Sequence, residues 1–398
     1  MSRPSCSLTV EQSQLRDEVR EFAANTLRPA ARDCDRAGTY LPAELMREIN
    51  RRYGRIGVPR EFGGLGLDPV SLGLVVEELA YADLGASDLL GGNILGLSPV
   101  LMFGSETLRL RFAEILRADR EHGAVFLALA GTEPASGSDV LSASRTGGSL
   151  HTAAVKVPGG WRISGHKKFI SNGPIATYIV TLCATDLGPT LFVVPSAATG
   201  FRVGVHSVKL GHRTTPTSEL HFDDVFVPDN HLVGAIGQGA HIFDTALSLA
   251  RPGVAIASAG AARCAYDIAL NYCVQRTQGG QALIEHQAVQ ARLAALTIRV
   301  EAARAMAMNA FIQTEDIDAP RADMAIMAKV FCSDIAAEVV DEAMQLLGGN
   351  GYMAEYGIEK LYRDIKLNRI YEGENNYLAI LLGRSLARTA TAHDSRPV

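Results

Sequence analysis

Glu219-Leu220-His221-Phe222-Asp223-Asp224-Val225-Phe226-Val227 alternates apolar and polar side chains until an Asp-Asp pair shifts the phase. A period of two marks a β-strand with one buried face. Around it, turn signals such as Pro158-Gly159-Gly160 recur, so the strand-forming region runs from about Ala128 to Gly234. On both sides the period changes to that of a helix. Upstream, Thr9 and Gln12 have capping-box spacing ahead of the stripe Leu15, Val19 and Phe22, which Pro29 is expected to end. Phe62-Gly63-Gly64-Leu65-Gly66-Leu67-Asp68 is glycine-rich, but no strand precedes it and the spacing is not G-x-G-x-x-G, so it reads as a structural turn. Downstream, Val289, Leu293, Leu296 and Val300 line one long helix, and Met327, Phe331, Ile335 and Val339 line another. The small residues from Val254 to Ala265 suit close helix packing. The expected class is α+β: a helical segment over 1–125, a compact β segment over 126–236, and a bundle of four or five helices over 237–398.

With 398 residues, 47% hydrophobic and 20% charged, the chain can bury a substantial core. Its net charge is −5 and its basic residues are dispersed, which argues against nucleic acid as a partner. The polar start leads straight into an amphipathic helix, and no uninterrupted apolar run of about 18 residues occurs, so no membrane span is expected. Six cysteines form no C-x-x-C pair and no short-spaced Cys/His cluster. That pattern indicates neither a metal site nor a disulfide framework and fits a reducing cytoplasm.

Four runs carry candidate chemistry. Thr132-Glu133-Pro134-Ala135-Ser136-Gly137-Ser138-Asp139 opens the β segment with three hydroxyls and a small-residue loop that can meet a polar heterocycle or a phosphate. Lys168-Phe169-Ile170-Ser171-Asn172-Gly173 sets an aromatic face beside a hydroxyl at a strand end. Leu210-Gly211-His212-Arg213 leads into the strand quoted above. Near the C-terminus lies Asn368-Arg369-Ile370-Tyr371-Glu372-Gly373, between a helix bearing Ile358, Leu361 and Ile365 and one bearing Leu378, Leu381, Leu382 and Leu386. A carboxylate in so tight a link cannot drift, and Asn375 or Asn376 is placed to cap the following helix. Glu372 is therefore the candidate general base.

Taken together and in this order, these runs resemble the acyl-CoA dehydrogenase family of flavoproteins. Further matching runs are Arg276, Gln345-Leu346-Leu347-Gly348-Gly349-Asn350-Gly351-Tyr352, Arg363-Asp364, Glu77-Glu78-Leu79-Ala80 and Gly104-Ser105-Glu106, so the likeness extends from about Leu8 to Ala387. The resemblance implies an N-terminal helical domain, a central β domain and a C-terminal four-helix bundle, with FAD between the last two. It implies a homotetramer, with a homodimer as the alternative, and an electron acceptor such as an electron-transfer flavoprotein. Carried over by position, Thr132, Ser138, Phe169 and Ser171 are expected to contact the flavin, its ribityl chain and its pyrophosphate. Arg276, Gln345 and Gly349 are expected to reach the ADP half of FAD bound mainly by a neighbouring subunit. Arg251, Tyr371 and Gly373 are expected on the substrate side. The implied reaction is α,β-dehydrogenation of a saturated acyl thioester to the trans-2-enoyl product: Glu372 takes the α-proton and flavin N5 takes the β-hydride. In this mechanism partial desolvation raises the pKa of the carboxylate toward the working pH. Relatives that place the base before the Arg-Pro pair have their counterpart here in Ala250, which cannot take a proton.

Several positions depart from the family pattern. Leu129 and Gly131 replace larger residues, which predicts looser flavin packing; Gly279 stands at a common Phe position, and Glu374 adds an acid where Thr is usual. Ser248 replaces an acid near the pantetheine, and the Thr185-Asp186-Leu187-Gly188-Pro189 turn is short, so an acyl-carrier-protein thioester stands beside acyl-CoA as substrate. A flavin-dependent oxidase or monooxygenase on the same fold, and a catalytically idle acyl-thioester-binding subunit, are the alternative readings. No G-x-S-x-G elbow, H-E-x-x-H helix or Walker loop is present.

Overall fold

The computed structural model describes residues 8–141, 150–314 and 321–394. Helices α1 (Val10–Phe22), α2 (Arg28–Ala37), α3 (Ala43–Tyr53), α4 (Pro69–Ala82), α5 (Leu84–Phe103) and α6 (Glu106–Ala118) come first. Strands β1 (Leu127–Ala130), β2 (Ala153–Val157), β3 (Gly160–Ser171), β4 (Tyr178–Cys183), β5 (Thr190–Pro195), β6 (Phe201–His206), β7 (Thr217–Pro228) and β8 (Leu232–Val233) follow. The chain continues through α7 (Gly239–Gln275), a short hairpin of β9 (Thr277–Gln278) and β10 (Gln281–Ala282), α8 (Gln287–Ile312), α9 (Ala322–Leu347), α10 (Ile358–Asn368) and α11 (Asn375–Asp394). The Thr9–Gln12 capping box is formed in both directions. Pro29 does not stop the helical path, because a five-residue π-helical stretch, Ala23–Leu27, carries α1 into α2. That puts Pro29 in the first turn of α2, where its missing N–H costs little.

Two compact units emerge. One joins residues 8–28 and 73–84 to the chain from Arg251 onward. In it α9 packs against α8, α10 and α11, and Gly260 of α7 lies so close to the Glu77 carbonyl that a Cβ would sit 2.5 Å from it. Buried charges tie the unit together: Arg20, Arg263 and Arg304 share Glu77 and Glu78, and Lys360 bridges Asp83 and Asp364. None of these carboxylates is left as an uncompensated buried charge.

The second unit spans Pro29–Leu72 and Gly85–Ala250. It holds two four-stranded sheets, in the orders β1-β4-β5-β8 and β2-β3-β7-β6, with β1 parallel to β4 and the other pairs antiparallel. Trp161, Ile163, Phe192, Val194, Leu220, Phe222, Val225 and Val227 form the core between the sheets. Val180, Leu182, Leu191 and Val193 on the other face of the first sheet pack with Leu97 and Val100 of α5 and Phe112 of α6. Among the described residues α5 has the length and mean hydropathy, 1.3, of a membrane-crossing helix, but 61% of that window is buried inside the protein. Its polar residues point to a protein interior: Asn93 bonds to Asn50 and to the Leu127 N–H. The glycine run after Val58 is a turn, as expected: Gly63 and Gly66 have φ of 87° and 57°, and a Cβ on Gly64 would lie 2.0 Å from the Val58 carbonyl oxygen.

Candidate active site

Five residues other than glycine adopt left-handed backbone conformations among the described residues: Phe169, Asn172, His212, Asp224 and Glu372. All five fall in runs that the sequence singles out. Such conformations cost about 1–3 kcal/mol each and persist only where the surroundings enforce them.

In the β unit, β3 loses register with β7 between Lys167 and Ile170, and Phe169 sits in that bulge with φ 59°. The bulge turns the ring outward to 61% exposure, with the Lys168 ammonium 5.1 Å from its centroid. The Lys168 N–H donates to the Thr132 carbonyl at 2.9 Å, which brings the Thr132–Asp139 loop alongside. Thr132, Ser138 and Ser171 are half-buried. Asn172 is buried, and its side-chain amide donates to the Leu89 carbonyl at 2.8 Å.

Beneath the loop lies a pair that the sequence motif hides. Lys167 and Glu133 are both shut off from solvent, 2.8 Å apart, and Lys167 also donates to the Gly131 carbonyl at 3.0 Å. The Glu133 carboxylate accepts from the N–H groups of His151 and Thr152. Burial opposes its charge, but Lys167 and these two donors outweigh burial and hold the carboxyl below its usual range. Glu133 and Lys167 are 34 residues apart, so no local signal announces them. On the protein side Gly131 is closely packed: a Cβ there would lie 2.4 Å from the Phe243 ring.

Elsewhere on this sheet, His166, Glu219 and His221 bring three potential metal-ligand atoms within 4.8 Å of one another. The two imidazoles stack at 4.1 Å with planes 19° apart, so their lone pairs lie in separate, nearly parallel planes and do not converge on one ion.

In the helical unit, α10 ends at Asn368 and α11 begins at Asn375, leaving a six-residue turn that carries Glu372 at φ 54° and Gly373 at φ 103°. Glu372 is half-buried, with its Oε2 atom screened from solvent. A Cβ on Gly373 would fall 2.8 Å from Leu378, so both its conformation and its contact require glycine. Tyr371 is half-buried beside it. Arg251, expected on the substrate side, is 1% exposed, and its Nε donates to the Glu372 carbonyl at 3.3 Å. Neither Asn375 nor Asn376 caps α11. Glu374 does, accepting from the Tyr377 N–H at 3.0 Å, while Asn376 donates to its other oxygen. Burial disfavours the Glu374 charge, but the Tyr377 and Asn376 donors hold the carboxyl below its usual range. The acid that departs from the family pattern thus fills a helix-capping place.

Arg276, Gln345 and Gly349 are exposed in the same unit. They come to one end of it, because the Asn350 amide donates to the Tyr272 hydroxyl at 2.9 Å, one helical turn before Arg276. Gly279 and Gly280 form the two-residue hairpin between β9 and β10 with φ of 66° and 87°. A turn with positive φ at both central positions explains glycine where Phe is common.

Residues 9–117 match the acyl-CoA dehydrogenase N-terminal domain, 128–225 the middle domain and 237–387 the C-terminal domain. The chain belongs to the acyl-CoA dehydrogenase family. It is 34% identical over 388 residues to an acyl-CoA dehydrogenase of Bacillus subtilis, covering 95% of this chain and 98% of that one. Its fold is similar to butyryl-CoA dehydrogenase from Megasphaera elsdenii, with TM-score 0.89, 30% identity and coverage of 97% and 100% of the two chains. It is also similar to a glutaryl-CoA dehydrogenase from Mycobacterium smegmatis in complex with FADH2, with TM-score 0.87, 25% identity and 95% of each chain covered. As a member of this family it is an FAD-binding oxidoreductase acting on CH–CH bonds. The residues present fit that cofactor: an aromatic face is turned outward at a bulge, beside half-buried hydroxyls, over a loop whose one buried acid is already neutralised.

Proposed function

We propose that Glu372 abstracts the α-proton of a saturated acyl thioester and that the product is the trans-2-enoyl thioester. One observation carries this reading: a half-buried carboxylate held in a left-handed turn between two helices, with one oxygen screened from solvent. A glycine would occupy that backbone conformation at lower cost, so the acid is kept there for its chemistry. When bound, FAD supplies the two-electron acceptor for the β-hydrogen. Thr132, Ser138, Phe169 and Ser171 would hold the flavin side, and Arg276, Gln345 and Gly349 the ADP half of a neighbouring subunit's cofactor in a homotetramer or homodimer. The backbone N–H of Glu372 is the donor for charge that develops on the thioester oxygen. Tyr371 and Gly373 border the acyl group, and Arg251 acts on the same turn through the Glu372 carbonyl. An electron-transfer flavoprotein in a reducing cytoplasm is the proposed acceptor.

The thioester carrier is CoA or an acyl carrier protein. The Ser248 hydroxyl is turned back onto the Asp244 carbonyl at 2.9 Å, and the short turn after Thr185 closes on itself through Thr185–Gly188 bonds and carries the acid Asp186, so neither offers a positive charge to a CoA phosphate. A panel of saturated acyl thioesters on both carriers, scored by anaerobic bleaching of the bound flavin, tests the reading. Wild type bleaches, and Glu372→Gln retains FAD but bleaches at least ~100-fold more slowly. A variant that bleaches at the wild-type rate removes Glu372 as the base. Rapid peroxide formation in air would assign an oxidase instead.

A further inference from the structure

Lys329 of α9 is fully buried in the helical unit. Its ammonium donates to the Gly373 carbonyl and to Asn375 Oδ1, both at 2.7 Å. Asn375 is fixed in turn by donating to Ser333 Oγ at 2.9 Å and Asp334 Oδ1 at 3.0 Å, and Asp334 pairs with Arg369 at 2.6 Å. On the other side of the turn, the Arg251 guanidinium holds the preceding carbonyl, that of Glu372. Consecutive carbonyls are thus gripped by two buried cations from different helices.

We propose that Lys329 is a positioning residue for the acid: with Arg251 it clamps the 372–373 backbone and forces Glu372 into the left-handed conformation that aims its carboxylate. The inference rests on Glu372 being the base. Two observations separate it from plain helix capping. First, the α11 N-terminus already has its cap in Glu374, so an amine is not needed there for that purpose. Second, burial pushes the Lys329 pKa down to about 8, with the Glu372 carboxylate pulling it back up, Arg251 lowering it further, and Glu374 and Asp334 raising it. A buried charge that its surroundings disfavour is a poor choice for stability alone. Asn375 could be held by a neutral donor, whereas Lys329 also sets a cation beside the Glu372 carboxylate.

The test uses the full-length holoenzyme and the rate of anaerobic flavin bleaching by a saturated acyl-CoA. Lys329→Met is expected to lower that rate at least ~10-fold while FAD content and KM stay near wild type. Wild type should lose rate as pH rises through about 8, and the variant should lack that step. Lys329→Arg, which keeps the cation, should restore part of the rate and move the step to higher pH. An unchanged rate and pH profile in Lys329→Met, even with a lowered melting temperature, would overturn the proposal in favour of a structural lysine. If Lys329→Met does not fold, wild type decides alone: a rate flat between about pH 7 and about pH 9.5 overturns the clamp, and a fall centred near 8 supports it. Glu372→Gln separates the two claims. If it bleaches normally, the base reading itself fails; if it is inactive while Lys329→Met is normal, only the clamp fails.

Discussion

Lys167 in the β unit and Lys329 in the helical unit are both closed to solvent, and each donates to the main-chain carbonyl of a run that carries chemistry: Gly131 before Thr132 in one case, Gly373 after Glu372 in the other. Their partners differ. Lys167 has a dedicated carboxylate, Glu133, at 2.8 Å, which in turn accepts two backbone N–H bonds, so charge and hydrogen bonds close on themselves. The direct acceptors of Lys329 are neutral, a carbonyl and an amide oxygen, and the acid that most favours its charged form is Glu372. The self-contained pair builds a rigid floor under a loop. The open one leaves its cation answerable to the reacting acid.

That contrast sets the order of expected effects. Lys167→Met strands the Glu133 carboxylate in the interior and should cost about 3–5 kcal/mol in urea unfolding, the largest loss considered. Lys329→Met removes donors from neutral acceptors only and should cost less, about 1–3 kcal/mol at pH 7. Equal losses for the two would erase the distinction. The pH dependence sharpens it. The folded-state pKa of Lys329, about 8, lies below its ordinary value of 10.5. Between those values the unfolded chain holds a proton that the native state lacks, so this group makes the native state more stable as pH rises across that window and contributes no slope below it. Stability measured against pH in wild type and Lys329→Met should show that rise in wild type alone.

Smaller effects concern the surroundings of two of the left-handed residues, Phe169 and Glu372. Phe169→Ala removes an outward ring without opening a core, so FAD affinity should fall ~3- to ~10-fold, read by flavin fluorescence titration, with little change in melting temperature. A large loss of stability would mean that the ring serves the fold and not the cofactor. Glu374→Ala removes the α11 cap and should cost about 1 kcal/mol in urea unfolding, with FAD affinity unchanged.

How much of this was open to sequence reading follows the range of the forces involved. The strand period around Phe222 and the two helices flanking Glu372 are set by neighbours within a turn or a pleat, and both were readable. Pro29 reads as a helix end, but a π-helical stretch before it carries the helical path on into α2. Asn375 and Asn376 read as caps of α11, since Asn is a favoured capping residue and Glu is not, yet Asn375 is drawn off by Lys329, 46 residues away. The space beside Gly131 is taken by Phe243, far along the chain, a contact that no local pattern announces. Lys167 and Lys329 carried no local signal at all, because a lone lysine in a strand or helix reads as a solvated charge until its partners across the fold are known.

The most direct measurement is proton exchange at the substrate α-carbon. Holoenzyme is incubated anaerobically in D2O with a saturated acyl thioester, and the recovered thioester is analysed by mass spectrometry. Wild type should place deuterium at the α-position and Glu372→Gln should not, even with FAD bound. Exchange by Glu372→Gln at the wild-type rate would contradict the assignment of this acid as the base.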